Sequence, residues 1–182
     1  MITHEHMDHV SGLDDLRPFT ISRPNPIPLY SHPRVLDSIR SRFDYMFGPD
    51  RYPGSTSVTL HAVEHPFHIG SIRVVPLPVA HGDLSIYGYR IGDLAYMTDV
   101  QAIPQSTMDL LEGVNVLVMG ALRWNVPHPS HMTIEDAVLA AEKVGADRTR
   151  FIHMNGSVKH GEGESMLPPG IRFAYDQEVI WL

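Results

Sequence analysis

Within six positions near its start the chain carries His4, His6, Asp8 and His9, in the order H-x-H-x-D-H. Imidazoles and carboxylates are metal ligands, and this spacing has a geometric reading. In an extended segment residues two apart point to the same side, so His4 and His6 can share one cation. If the chain then turns into a helix over residues 9–17, Asp8 and His9 are displaced towards a second position. One short stretch can therefore begin two adjacent metal sites. Neither is complete, because zinc takes about four ligands.

The missing ligands are expected at strand ends, where a rigid scaffold presents side chains. Three places fit. His81 follows the apolar run "IRVVPLPV", Asp99 follows "LAYMT", and His153 ends "RTRFI". A fourth stretch, "RWNVPHPSHMT", sets His128 and His131 in a loop just before a helix. A departing alkoxide needs a proton, and histidine has a suitable pKa to supply it.

The elements that must position these residues are legible in outline. "HVSGLDDLR" (9–17) reads as a short helix ending before Pro18, and 20–28 as a proline-rich loop. "LYSH" is a short strand leading into a helix, with Ser31 as its cap and Pro33 in its first turn. Leu36, Ile39, Phe43, Met46 and Phe47 recur at helical spacing. From residue 58 the period shifts to strand. "VTLHAV" and "HIGSIRVVPLPV" are strands joined around Pro66, and "SIYGYRIG" and "DLAYMTD" form a pair turning at Gly92-Asp93. Residues 114–122 read as a buried strand. Thr133 and Asp136 cap a helix over 134–144 that Gly145 stops. "RTRFIHM" is a further strand, and "IRFAYDQEVIWL" a closing hairpin around Asp176-Gln177. Antiparallel pairs followed by strand–helix–strand predict a layered α/β protein with a mixed sheet.

Composition bounds the function. The 182 residues suit one domain, and 43% are hydrophobic, enough for a core. The net charge is -7, with no Lys/Arg run of the kind that grips nucleic acid or anionic membrane. There are no cysteines, which excludes disulfides, thiolate catalysis and Cys-zinc sites and fits a reducing cytoplasm. No apolar stretch approaches the ~18 residues of a membrane span.

Taken together, "THEHMDH", "PLPVAHG", "AYMTD" and "FIHM" resemble, in order, the motifs of the metallo-β-lactamase superfamily. Its nearest branch contains phosphoribosyl 1,2-cyclic phosphate phosphodiesterase and, more distantly, tRNase Z. "GLDDLRPF" and "FAYDQEVIWL" extend the resemblance over nearly the whole chain. It implies an α/β metallo-β-lactamase-like αββα sandwich, with residues 1–182 as a single domain. In the family the signature follows several strands, whereas here only Met1-Ile2-Thr3 precede it. The domain is therefore expected to be truncated at its N-terminus. The edges so exposed would admit a partner, a second copy of the chain included.

The resemblance also implies roles. His4, His6 and His81 would bind one divalent metal, and Asp8, His9 and His153 a second. Asp99 would bridge both. A hydroxide between the metals would attack a small or cyclic phosphodiester. Zinc is the expected ion, with manganese and iron(II) also compatible. His131 would be the general acid, with His128 as the alternative. His32, His61, His65, His68 and His160 are read as surface or hydrogen-bonded histidines, and Asp14 and Asp15 as helix-surface charges. Competing expectations are an inactive remnant or binding module of the same fold, and tRNA 3′ processing. The second would want a basic surface that this acidic chain does not show.

Overall fold

The computed structural model describes residues 1–21 and 25–182. These fall into two units, Met1–His65 and Pro66–Leu182.

In the first unit the opening residues run extended beside a strand. The Ile2 N–H donates to the Tyr30 carbonyl (2.9 Å), and the Ser31 hydroxyl donates to the Ile2 carbonyl (2.7 Å). Helix α1 (Met7–Val10), a 3₁₀ segment (Ser11–Leu16) and α2 (Arg17–Ile21) follow. Strand β1 (Ile27–Ser31), α3 (Pro33–Arg42) and β2 (Val58–Ala62) complete the unit, with β1 and β2 parallel. Val10, Leu13, Leu29, Val35, Ile39 and Met46 form its core.

The second unit is built on a seven-stranded sheet. Its strands are β3 (Phe67–Ile69), β4 (Ile72–His81), β5 (Leu84–Ile91), β6 (Leu94–Met97), β7 (Val116–Gly120), β8 (Arg148–Ile152) and β9 (Ile171–Phe173), in that spatial order. Antiparallel pairing runs from β3 to β6, and parallel pairing from β6 to β9. Helices α4 (Gln105–Leu110), α5 (Ile134–Val144) and α6 (His160–Glu164) lie in the connections. The core includes Leu77, Ile86, Met97, Leu117, Met119, Ile134, Phe151 and Phe173. The parallel half sets the ends of β6, β7 and β8 side by side, which is where ligand-bearing loops of an α/β sheet collect.

Most expected elements are present, with corrections of physical interest. The first helical run does not end before Pro18. Proline occupies the first turn of α2, where a missing N–H removes no helical bond. The strand before α3 begins at Ile27, inside the expected loop; residues 22–24 of that loop lie outside the described residues. His32, not Ser31, caps α3: its ring accepts from the Arg34 N–H at 3.2 Å, while Ser31 is committed to Ile2. Val58–Ala62 pairs with β1 and not with the larger sheet. Helix α5 matches its expected bounds, with Thr133 accepting from the Asp136 N–H and Gly145 closing it at φ +72°.

The closing hairpin does not form. β9 pairs parallel with β8, and no strand follows the turn at Gln177 among the described residues. The expected second leg is held by side chains instead. Glu178 accepts from Arg150 Nε at 2.5 Å, and the Trp181 carbonyl accepts from Arg148 at 2.9 Å.

Strand β4 outruns β3. Beyond Val74, which pairs with Phe67, its outer side carries Pro76 and Pro78, and then Ala80, whose N–H donates to the Ala102 carbonyl at 2.9 Å. The Pro78 carbonyl accepts from the Thr107 hydroxyl at 2.5 Å.

Candidate metal centre

Two sets of ligand-type residues are assembled, one in each unit. In the first, the extended segment before α1 gives His4 and His6 a common side, as the spacing predicts. His4 is fully buried. Its Nδ1 lies 3.1 Å from the Thr3 hydroxyl, and its Nε2 lies 3.0 Å from His6 Nδ1. His6 then caps the entry to α1, whose first turn carries Asp8 and His9. The turn carries His9 over His4, with ring centroids 4.2 Å apart, while Asp8 stays exposed beside it, 3.3 Å from His9 Nε2. Both His4 ring nitrogens are thus engaged, one by Thr3 and the other by His6.

In the second unit the ligand residues stand at strand ends. His81 is the last residue of β4. Its Nδ1 lies 2.7 Å from the Ser130 carbonyl, which can only accept, so the ring proton sits on Nδ1 and Nε2 keeps its lone pair. Asp99 follows β6 and His153 follows β8; both have left-handed backbones, at φ +56° and +62°. Non-glycine residues seldom adopt this conformation, and here it turns the two side chains out of the strand direction. The Asp99 carboxylate is buried and divides its two oxygens. Oδ1 lies 3.4 Å from His153 Nε2, and Oδ2 lies 4.0 Å from His81 Nε2. Thr98 donates its hydroxyl to Oδ1 at 2.5 Å.

These distances suit a cation. Two ligand atoms on one tetrahedral ion, each about 2.0–2.1 Å from it, stand about 3.3–3.4 Å apart. Asp99 and His153 meet that spacing. A buried carboxylate facing two imidazole nitrogens is a donor set that suits a divalent ion.

His131 completes the second unit's group. Its ring stacks on His153 (centroids 5.1 Å, planes 15° apart) and meets His81 edge-on at 4.7 Å. Asp99, His131 and His153 bring one ligand atom each within 4.8 Å of one another. Burial is the main cause that lowers the His131 pKa to about 4; Asp99 opposes the shift, and His81, His153 and His128 add to it. The free imidazole is therefore neutral at pH 7. His128 lies 4.9 Å from His131, and its Nδ1 accepts from the Ser130 N–H at 3.3 Å.

Several contributors escaped the sequence reading. Ser130 orients two histidines through its backbone, which side-chain identity does not advertise. Thr98 fixes Asp99. Gly120 has no Cβ because one would meet the Asp99 nitrogen at 2.8 Å, so the end of β7 can pass close to the ligand loop. Three of the histidines read as non-ligands are engaged elsewhere: His32 caps α3, His61 stacks on Tyr30 at 4.8 Å, and His160 Nε2 donates to the Ala174 carbonyl at 3.2 Å.

A mixed sheet with histidine and aspartate at the ends of its strands is an arrangement suited to holding a metal ion. The chain belongs to the beta-lactamase superfamily domain family, whose model matches residues 1–154 and so spans His4 to His153. It is 39% identical over 179 residues to an octanoyltransferase of Porphyromonas gingivalis (strain ATCC BAA-308 / W83), covering 97% of this chain and 36% of that protein. Among solved structures it is similar to a diphosphatase from the PhnP family, at 38% identity and TM-score 0.87, covering 96% of this chain and 66% of that one. It shares its fold with Zn(2+)-bound PqqB from Methylobacterium extorquens, at 18% identity and TM-score 0.76, covering 99% of this chain and 71% of that one. The chain thus spans little more than a third of that octanoyltransferase.

Proposed function

We propose that this protein is a dinuclear metal-dependent phosphodiesterase acting on a small or cyclic phosphodiester. The carrying observation is the division of labour within one carboxylate: Asp99 turns Oδ1 towards His153 and Oδ2 towards His81. A carboxylate that serves two histidines with separate oxygens is suited to bridging two cations. In this reading His4, His6 and His81 hold one ion, Asp8, His9 and His153 hold the other, and residues 1–182 work as one catalytic domain. Support comes from the family match, which spans all seven residues, and from the donor geometry within each unit. Zinc is the favoured ion, since it is the one named with PqqB and suits a His/Asp set.

Two such ions supply a water of lowered pKa and neutralise charge on the phosphoryl oxygens. The chain's own groups do the rest. Ser130 and Thr98 hold His81 and Asp99 in their ligating orientations. His131 hands a proton to the departing alkoxide. Its burial keeps it neutral in the free protein, and an anionic diester beside it favours the protonated form it needs. Phosphoryl chemistry is preferred because a similar structure with 38% sequence identity is that of a diphosphatase, and the phosphodiester is the proposed member of that class. Octanoyl transfer is said of a relative of which this chain spans 36%, and it is not carried over.

The test pairs metal analysis with turnover. The purified protein should bind two equivalents of zinc and hydrolyse bis(4-nitrophenyl) phosphate, and chelation should abolish both. Turnover of a thioester or a β-lactam without any diesterase activity would overturn the substrate class. A folded protein that takes up no metal would instead support the inactive-remnant reading.

A further inference from the structure

The first unit contains a second polar cleft, built from other residues than the ligand set. It has a volume of about 380 Å³ and is lined by Arg51, Gly54, Ser55 and Ser57, together with residues at the end of α2. Three features single it out.

Ser55 is 9% exposed, yet its hydroxyl has no hydrogen-bond partner among the described residues. Buried polar groups are nearly always paired, and one left over calls for an explanation such as a missing ligand. Two guanidinium groups stand near residues of this lining. Arg51 lines the cleft and reaches the Ser57 hydroxyl with a long 3.4 Å contact that leaves most of its donors uncommitted. Arg17 brings Nη2 to 3.4 Å from the point where a Cβ on Gly54 would sit. Among the described residues the Arg17 side chain has no ion pair or hydrogen bond. The neighbouring polar groups are already used: the Thr56 hydroxyl donates to Asp14, and the Thr20 hydroxyl accepts from the Ser57 N–H.

We propose that this cleft is an oxyanion site that takes a phosphate group. A tetrahedral dianion offers acceptors for two guanidinium forks and for the Ser55 hydroxyl, which can donate to one of its oxygens. A carboxylate has fewer oxygens to divide among three donors, and a neutral ligand would leave both arginines without a counter-charge. The site serves either a free phosphate or the terminal phosphate of a larger molecule, because the recognition chemistry is the same. It does not depend on the metal-centre reading, since none of its residues is in that ligand set.

The experiment is a titration of the full chain with inorganic phosphate at constant ionic strength, followed by the backbone amide resonances of Gly54, Ser55 and Ser57. A phosphomonoester, phenyl phosphate, forms a parallel arm. Saturable shifts are expected at these amides, with the Kd raised at least tenfold in Arg51→Ala and in Arg17→Ala. Ser55→Ala should weaken binding while leaving the rest of the spectrum unchanged, which separates lost binding from lost folding. Tighter binding of phenyl phosphate would assign the site to an esterified phosphate, and tighter binding of inorganic phosphate to the free ion. Absence of saturable shifts at these amides, or equal affinity in wild type and both arginine variants, would overturn the proposal. Failure of the metal-centre reading would show in zinc content and turnover and would leave this titration untouched.

Discussion

His153 Nε2 lies 3.4 Å from Asp99 Oδ1; His153 directly follows β8 and Asp99 lies two residues beyond β6, both in left-handed backbone conformation. The two side chains thus depend on two left-handed turns and on the strand between them. That dependence generates the first expectations.

Asp99→Asn should remove more metal than any single histidine-to-alanine change in the proposed ligand set. An amide keeps the shape but loses the charge that lets one group serve two cations. Zinc content measured by mass spectrometry on each variant checks this. Retention of two tightly bound ions in Asp99→Asn would refute the bridging role.

Gly120→Ala should destabilise the protein by about 1–3 kcal/mol and lower metal content. The added Cβ would stand 2.8 Å from the Asp99 nitrogen, so either β7 or the ligand loop must move. Thermal unfolding and metal analysis on the same preparation report the two effects. An unchanged midpoint would show that the loop yields without cost.

His131→Ala should lower kcat for a diester with an alkoxide leaving group by about 10²–10⁴-fold while both metals remain bound. A nitrophenolate leaves without help, so loss on an activated nitrophenyl diester should be far smaller. Equal losses on both substrates would remove His131 from the proton-donor role and turn attention to His128, whose ring lies 4.9 Å away.

Stability of the metal-free protein should fall as pH drops from about 6.5 to about 4. The His131 pKa is lowered to about 4 in the folded state, so over that interval the unfolded chain binds the extra proton. The folded state therefore loses ground as pH falls, and regains it as pH rises past the ordinary histidine value. Denaturant midpoints across this range, compared between wild type and His131→Asn, isolate the contribution. Parallel curves for the two proteins would mean that His131 titrates normally.

The chemistry-bearing residues were more legible than the elements around them. His4 and His6 share a side because an extended segment has period two, and that rule is local. The strand-end positions of His81, Asp99 and His153 followed from apolar runs that stop at a polar residue. Helix α5 was legible to the residue because its Thr133 cap and Gly145 stop are both chemical signals. What stayed hidden depends on partners distant in sequence. Nothing near Ser31 shows that its hydroxyl is taken by Ile2, so the cap passed to His32. Nothing in "FAYDQEVIWL" shows that Arg150 and Arg148 hold its second half and that no strand forms there. The backbone role of Ser130 was likewise invisible, since any residue type supplies a carbonyl.

Strand β4 carries a further consequence for how this protein behaves in company. A growing fibril or a swapped neighbour needs a row of free N–H groups to zip onto. Along the outer side of β4, Val74 is paired with β3, positions 76 and 78 are prolines and own no N–H, and the Ala80 N–H is taken by Ala102. The Pro78 carbonyl is itself occupied by Thr107. An incoming strand would find almost nothing to hold. The two prolines of "VVPLPV" therefore act as a guard against templated self-association along the border that β3 leaves uncovered.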